Sequence, residues 1–139
     1  MMHSLKAVVV SLLLVVLLAA CANMDRRERL SDLQKALKDY AAALRWERYN
    51  DAYDFIRARD GSKPELNMEG FEDYRVTSVE IIRSDLNLEE TEAMTHVVIK
   101  YYKDTSGTIR EIKESQDWWY EAEAERWFLD GDLPYLDKG

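Results

Sequence analysis

The sequence predicts an α+β domain, in which two N-terminal helices pack on a curved four-stranded antiparallel sheet, preceded by a cleaved signal peptide. Three observations carry that prediction. Apolar residues recur every three to four positions as far as residue 56, the period of an amphipathic helix. Beyond residue 73 the period changes to two, and β-branched and aromatic residues gather in four runs. Apolar character is also unevenly placed: residues 1–20 hold 16 apolar residues and one charged side chain, Lys6. The other 119 residues hold all 15 aromatics and a net charge of −9, within −8 for the whole chain.

The first segment divides into three. Residues 1–6 are a short, weakly positive start, AVVVSLLLVVLL is an apolar run, and Ala19, Ala20 and Cys21 follow. A spanning helix needs ~20 apolar residues, whereas the stretch over residues 7–22 is 16 residues long, so the segment reads as an export signal that is removed. Leu18-Ala19-Ala20-Cys21 resembles the lipobox of bacterial lipoproteins, and the chain's one cysteine stands where that motif requires it. The resemblance implies cleavage before Cys21, a thioether-linked lipid on its sulfur, and acylation of the new amino terminus. It also implies the outer membrane, facing the periplasm, because Ala22 stands where an aspartate commonly signals inner-membrane retention.

Arg26, Arg27 and Arg29 follow the apolar run and outnumber Lys6, so charge gives no support for an uncleaved anchor with its N-terminus inside. They are candidate contacts to lipid headgroups, or else a solvated first helical turn with Asp25 as its N-cap. The expected organisation is a signal peptide over 1–20, a lipidated cysteine and short tether over 21–29, and one domain over 30–139. The expected partners are the bilayer, held through acylated Cys21, and an envelope protein.

Within the domain, Leu30, Leu33, Leu37, Tyr40 and Leu44 form one helical stripe. Glu47 and Arg48 interrupt it, and a new stripe begins at Trp46, Tyr49, Tyr53 and Ile56. That slip of phase predicts a break near Arg45 and a second helix. Residues 59–73 hold Gly61, Pro64 and Gly70 and read as a loop. Strands are predicted over 74–83, 95–103, 108–121 and 126–130, and short polar connections make neighbours antiparallel.

That order, with the stretches ALRWERYNDAYDFI and DWWYEAEAERWFLDGDLPYL, resembles the NTF2-like (cystatin-like α+β) superfamily, and more closely its small lipoprotein members. Tyr49, Ala52 and Tyr53 match its acidic-aromatic second helix; Trp118, Tyr120, Trp127 and Leu129 match its late tryptophan-containing hairpin. The likeness covers most of 30–136, but the chain has no room for an extra strand and long helix before the sheet, which argues against a deep, enclosed cone.

Strand alternation sorts the sheet into faces. Thr95, Val97, Ile99 and Tyr101 share the apolar face of one strand. Arg110, Ile112, Glu114, Gln116, Trp118 and Tyr120 share a face of the next. Tyr53, Tyr101, Glu114, Gln116 and Trp118 are therefore the candidate pocket. NTF2-like enzymes place an acid in such a cone, so by resemblance Glu114 is the candidate general base of an enzyme reading. No second polar partner to orient a substrate is assignable, and a non-catalytic domain that binds a protein or small ligand is the primary expectation. A structural or assembly role in an envelope complex is the third.

Composition excludes other classes. One cysteine allows no intramolecular disulfide and no CxxC site, and beyond the signal a single histidine, His96, is too little for a zinc site. Acidity opposes nucleic-acid binding, which needs a basic face to release counterions. The acidic groups Glu89, Glu90, Glu92 and Asp130, Asp132, Asp137 lack calcium-loop spacing. No cofactor motif is present.

Overall fold

A computed structural model describes residues 1–136. Helix α1 (Met2–Arg45) is a single uninterrupted element, followed by α2 (Tyr49–Tyr53) and by strands β1 (Tyr74–Leu86), β2 (Glu92–Lys103), β3 (Ile109–Glu121) and β4 (Arg126–Leu129). The strands form one antiparallel sheet in the order β1-β2-β3-β4. Two helices on a four-stranded antiparallel sheet agree with the expected α+β class.

The helices differ from expectation in two ways. Residues 22–25, expected as a tether with Asp25 as N-cap, are helical and continuous with the apolar segment. Nothing in the chain interrupts them, since no glycine or proline occurs before Gly61 and the helix-breaking cost of either is absent. The apolar residues of positions 5–18 are exposed, and the segment is long and apolar enough to cross a membrane.

The break near Arg45 falls where the stripe slips. There the N–H of Glu47 reaches Leu44 O (3.5 Å) and that of Arg48 reaches Ala43 O (2.9 Å). Glu47 itself takes φ 60°. This is the double hydrogen bond of a Schellman cap, with a glutamate where glycine is usual. The second helix is only five residues, shorter than its stripe. Ile56 leaves it to bridge Leu129 in parallel, through Arg57 N–H to Leu129 O (3.0 Å) and Leu129 N–H to Phe55 O (2.7 Å).

Burial explains the sheet's registry. Leu33, Ala36, Leu37, Tyr40, Ala43 and Leu44 of α1 bury one stripe against the sheet. The sheet answers with Val97, Ile99, Tyr101, Trp118, Trp127 and Leu129. Tyr40, Phe55 and Trp118 meet edge-to-face, with ring centroids 5.6–6.1 Å apart, the arrangement that ring quadrupoles prefer.

β1 has apolar residues on both of its nominal faces because its register slips between Val76 and Ser78 and again between Ile81 and Arg83. Each bulge adds one residue and reverses the phase of those that follow. Val76, Val79, Ile81, Ser84 and Leu86 all oppose inward-facing residues of β2 as a result.

Candidate functional site

The alternation places the β2 and β3 residues on the predicted faces. Along the interior of β3 they form a polar chain. The indole N–H of Trp118 donates to Gln116 Oε1 (3.2 Å), and Gln116 Nε2 donates to Glu114 Oε1 (3.4 Å). Trp118 and Gln116 are buried, whereas Glu114 is half-buried. Beside this chain lies the buried phenol of Tyr40. Its pKa is raised well above the usual tyrosine range, first by burial and then by the charges of Glu114 and Asp132. Its hydroxyl has no hydrogen-bond partner, nor have those of Tyr49 and Tyr101.

The five candidate pocket residues do not converge. Glu114, Gln116 and Trp118 are linked as described. Tyr101 packs edge-on against Tyr74 at 5.5 Å, four pairs beyond Glu114 along the β2–β3 ladder. Tyr53 is the last residue of α2 and is tied to the loop beyond it: its hydroxyl donates to Pro64 O (2.5 Å), and the Lys63 ammonium lies 3.8 Å over its ring. Aromatic rings fill the space between α1 and the sheet. The cleft that Glu114 borders is shallow, about 360 Å³, and is shared with Ile82, His96, Val98 and Lys113. His96 lies on the sheet's outer face, 3.0 Å from Ser115 Oγ and 3.3 Å from Arg83 Nη2.

Two further clefts flank α1. One, about 270 Å³, lies between the helix and edge strand β1. Leu30, Leu33, Leu37, Ile81 and Leu86 line it, with Lys38 at its rim, so its wall is almost wholly apolar. The other, about 380 Å³, lies beside the β3–β4 turn and carries Asp25, Glu28, Asp32 and Glu125 around Arg29 and Tyr120. Burial, with Glu125 and Asp32, raises the Tyr120 phenol, and Arg29 partly opposes them. Among the described residues, no three His, Cys, Asp or Glu side chains are grouped to hold a metal ion. Of the acidic groups without calcium-loop spacing, Glu90 pairs with Arg26, and Glu92 and Asp130 pair with Arg59; Asp137 lies outside the described residues.

Arg26 and Arg29 reach the β1–β2 hairpin tip. Arg26 pairs with the Glu90 carboxylate (3.2 Å) and donates to Leu88 O (3.5 Å), and Arg29 donates to Glu89 O (3.2 Å) and Glu90 O (3.4 Å). Arg27 stays exposed. The indole N–H of Trp127 donates to Arg29 O (2.8 Å), so both ends of the sheet are tied to the same helical turn. Cys21 is exposed on the helix face.

Sequence reasoning missed Arg59 and Asn87. Arg59 grips Asp117 through two nitrogens at 2.8 Å, Asp130 at 2.7 Å and Glu92 at 3.1 Å. Those hydrogen bonds, Asp117 foremost, raise the guanidinium pKa still further. Its partners come from β2, β3 and the residue just after β4, and no local pattern announces such a cluster. Asn87 had a signal, a turn-forming residue between two β runs.

No protein-family model matches the chain, and no curated protein matches it. Among solved structures it is similar to a "putative polyketide cyclase" from Xanthomonas campestris pv. campestris, at 13% identity and a TM-score of 0.44, over 78% of this chain and 93% of that one.

Proposed function

We propose that the chain is a lipid-anchored envelope protein whose domain binds a partner at its surface and is not catalytic. In this reading residues 1–20 are removed and Cys21 carries the acyl chains. The domain then sits on the periplasmic face of the outer membrane. Several acyl chains together hold a protein durably on a bilayer, at about 0.8 kcal/mol per buried methylene. The exposed apolar stretch that leads into Cys21 supports export and membrane association.

The observation that carries surface binding is the contrast between interior and groove. Rings of Tyr40, Phe55 and Trp118 occupy the space that a ligand cavity would need. Leu30, Leu37, Ile81 and Leu86 meanwhile form an apolar cleft beside a strand whose outer edge is unpaired. A cleft next to an open strand edge suits an extended polypeptide, whose backbone takes the edge hydrogen bonds while its side chains fill the groove. Glu114 as general base is the weaker reading, because the cleft beside it offers the outer sheet face and no enclosed apolar space.

The test is site-specific photocrosslinking in native membranes, with the crosslinker at Ile81 and, as a control, at Ile109 at the far end of the sheet. A discrete crosslinked protein from position 81, absent from 109, is expected. Cys21→Ser is expected to abolish acyl labelling, leave an unprocessed precursor and remove that crosslink. Unchanged acyl labelling in Cys21→Ser overturns the anchor, and equal labelling from both positions overturns the groove.

A further inference from the structure

The β1–β2 hairpin tip is built to hold one leucine in the open. Asn87 Oδ1 accepts the backbone N–H groups of Thr91 (2.8 Å) and Glu92 (3.0 Å), and its Nδ2 reaches Thr91 Oγ1 (3.0 Å) and the Glu89 carboxylate (3.3 Å). The turn closes through Asn87 N–H to Glu92 O (3.0 Å) and Glu90 N–H to Asn87 O (3.1 Å). Glu90 adopts φ 56° to complete it. Within this fixed loop Leu88 is 91% exposed, more than any other large apolar side chain after the N-terminal segment.

Its position along α1 gives the exposure a meaning. Side chains on a helix lean toward its N-terminus. The Arg26 guanidinium, and the Leu88 carbonyl that it reaches, therefore lie over the turn formed by residues 22–25. That level is about one turn, ~5.4 Å, from Cys21. The β3–β4 turn lies at the same end, facing Asp25 and Glu28 across the acidic cleft, but it carries Glu123 and Glu125 and no large apolar residue. Of the two hairpin tips at this end, the β1–β2 tip is the one that carries a large apolar side chain, on the same end as the exposed Met24 and Arg27 of α1.

We infer that Leu88 inserts into the lipid bilayer beside the anchor. The tip over 87–91 rests on the headgroups, Leu88 enters the headgroup–acyl boundary, and the contact fixes the domain's rotation about α1. A single leucine is a weak membrane ligand by itself. Tethering makes its insertion intramolecular, so the anchor supplies the effective concentration. The inference rests on the membrane-attached reading above and adds to it a second point of contact.

The experiment uses the full protein, purified from membranes with Cys21 acylated and reconstituted into vesicles of phosphatidylethanolamine and phosphatidylglycerol. Leu88→Cys and, separately, Ile109→Cys introduce the free thiol for an environment-sensitive fluorophore. Flotation and intact mass report attachment and acylation independently. On floating protein, the label at position 88 is expected to shift to shorter wavelength and to be quenched by lipid-borne nitroxides, while the label at 109 stays accessible to aqueous iodide. Floating, acylated protein whose two labels are equally accessible to iodide overturns the insertion and leaves the anchor standing, as do two labels equally quenched by lipid. Protein that neither floats nor carries acyl chains overturns the anchor and the insertion together.

Discussion

Tyr40 carries a hydroxyl for which the fold provides no partner. The ring belongs to the core, edge-on to Trp118 and Phe55, while its oxygen is buried and unbonded. Removing an unpaired buried hydroxyl relieves its desolvation cost, so Tyr40→Phe is expected to raise the unfolding free energy by about 1 kcal/mol, measured by denaturant titration. A loss of similar size would mean that the oxygen is satisfied after all. Gln116 is the opposite case, since both ends of its amide are used, toward Trp118 and Glu114. Its orientation was legible, because a period of two assigns each strand residue to a face. The failure of Tyr53 and Tyr101 to join Glu114 was not. That depends on where α2 stops and on Pro64 capturing the Tyr53 hydroxyl, which are tertiary facts without a local signature.

Elements were read best where a single periodicity ruled them. The stripe from Leu30 to Leu44 predicted a buried helix face, and its slip located the end of α1 without the usual glycine. β1 was the hardest strand, because two bulges reverse its phase twice in thirteen residues. The hairpin that follows tests how far one side chain can organise a turn. Asn87→Ala removes the acceptor for two backbone N–H groups, so it is expected to cost about 1–2 kcal/mol. Faster amide exchange is expected at Thr91 and Glu92, with β3–β4 amides unchanged. Exchange that accelerates evenly across the sheet would show that Asn87 supports the whole fold instead of the tip.

At the scale of the molecule, alkaline stability follows from the buried phenols. Burial raises the pKa of both Tyr40 and Tyr49, with Glu47 adding to the second and Arg75 opposing it. Below pH ~10 both phenols are neutral in folded and unfolded chains and make no difference. Above it the unfolded chain loses those protons first. Stability should therefore fall with rising pH, by up to ~1.4 kcal/mol per pH unit for each phenol. Thermal unfolding followed upward from pH ~9 should show this decline, and Tyr40→Phe should make it shallower; a flat profile would contradict it. A single cysteine leaves no intramolecular disulfide, and residue order gave the architecture, whereas a partner's identity is written in surface shape, which one sequence does not display. The unbroken α1 has a mechanical consequence. From Cys21 to Arg45 it is a rod of about 36 Å at 1.5 Å per residue, and its distal half is itself part of the core. On the anchored reading proposed above there is no swivel between anchor and core, so a tilt imposed on the rod at the membrane becomes a tilt of the sheet. The protein would then work as a fixed-height post, and a partner docked on it would come within a few nanometres of the lipid.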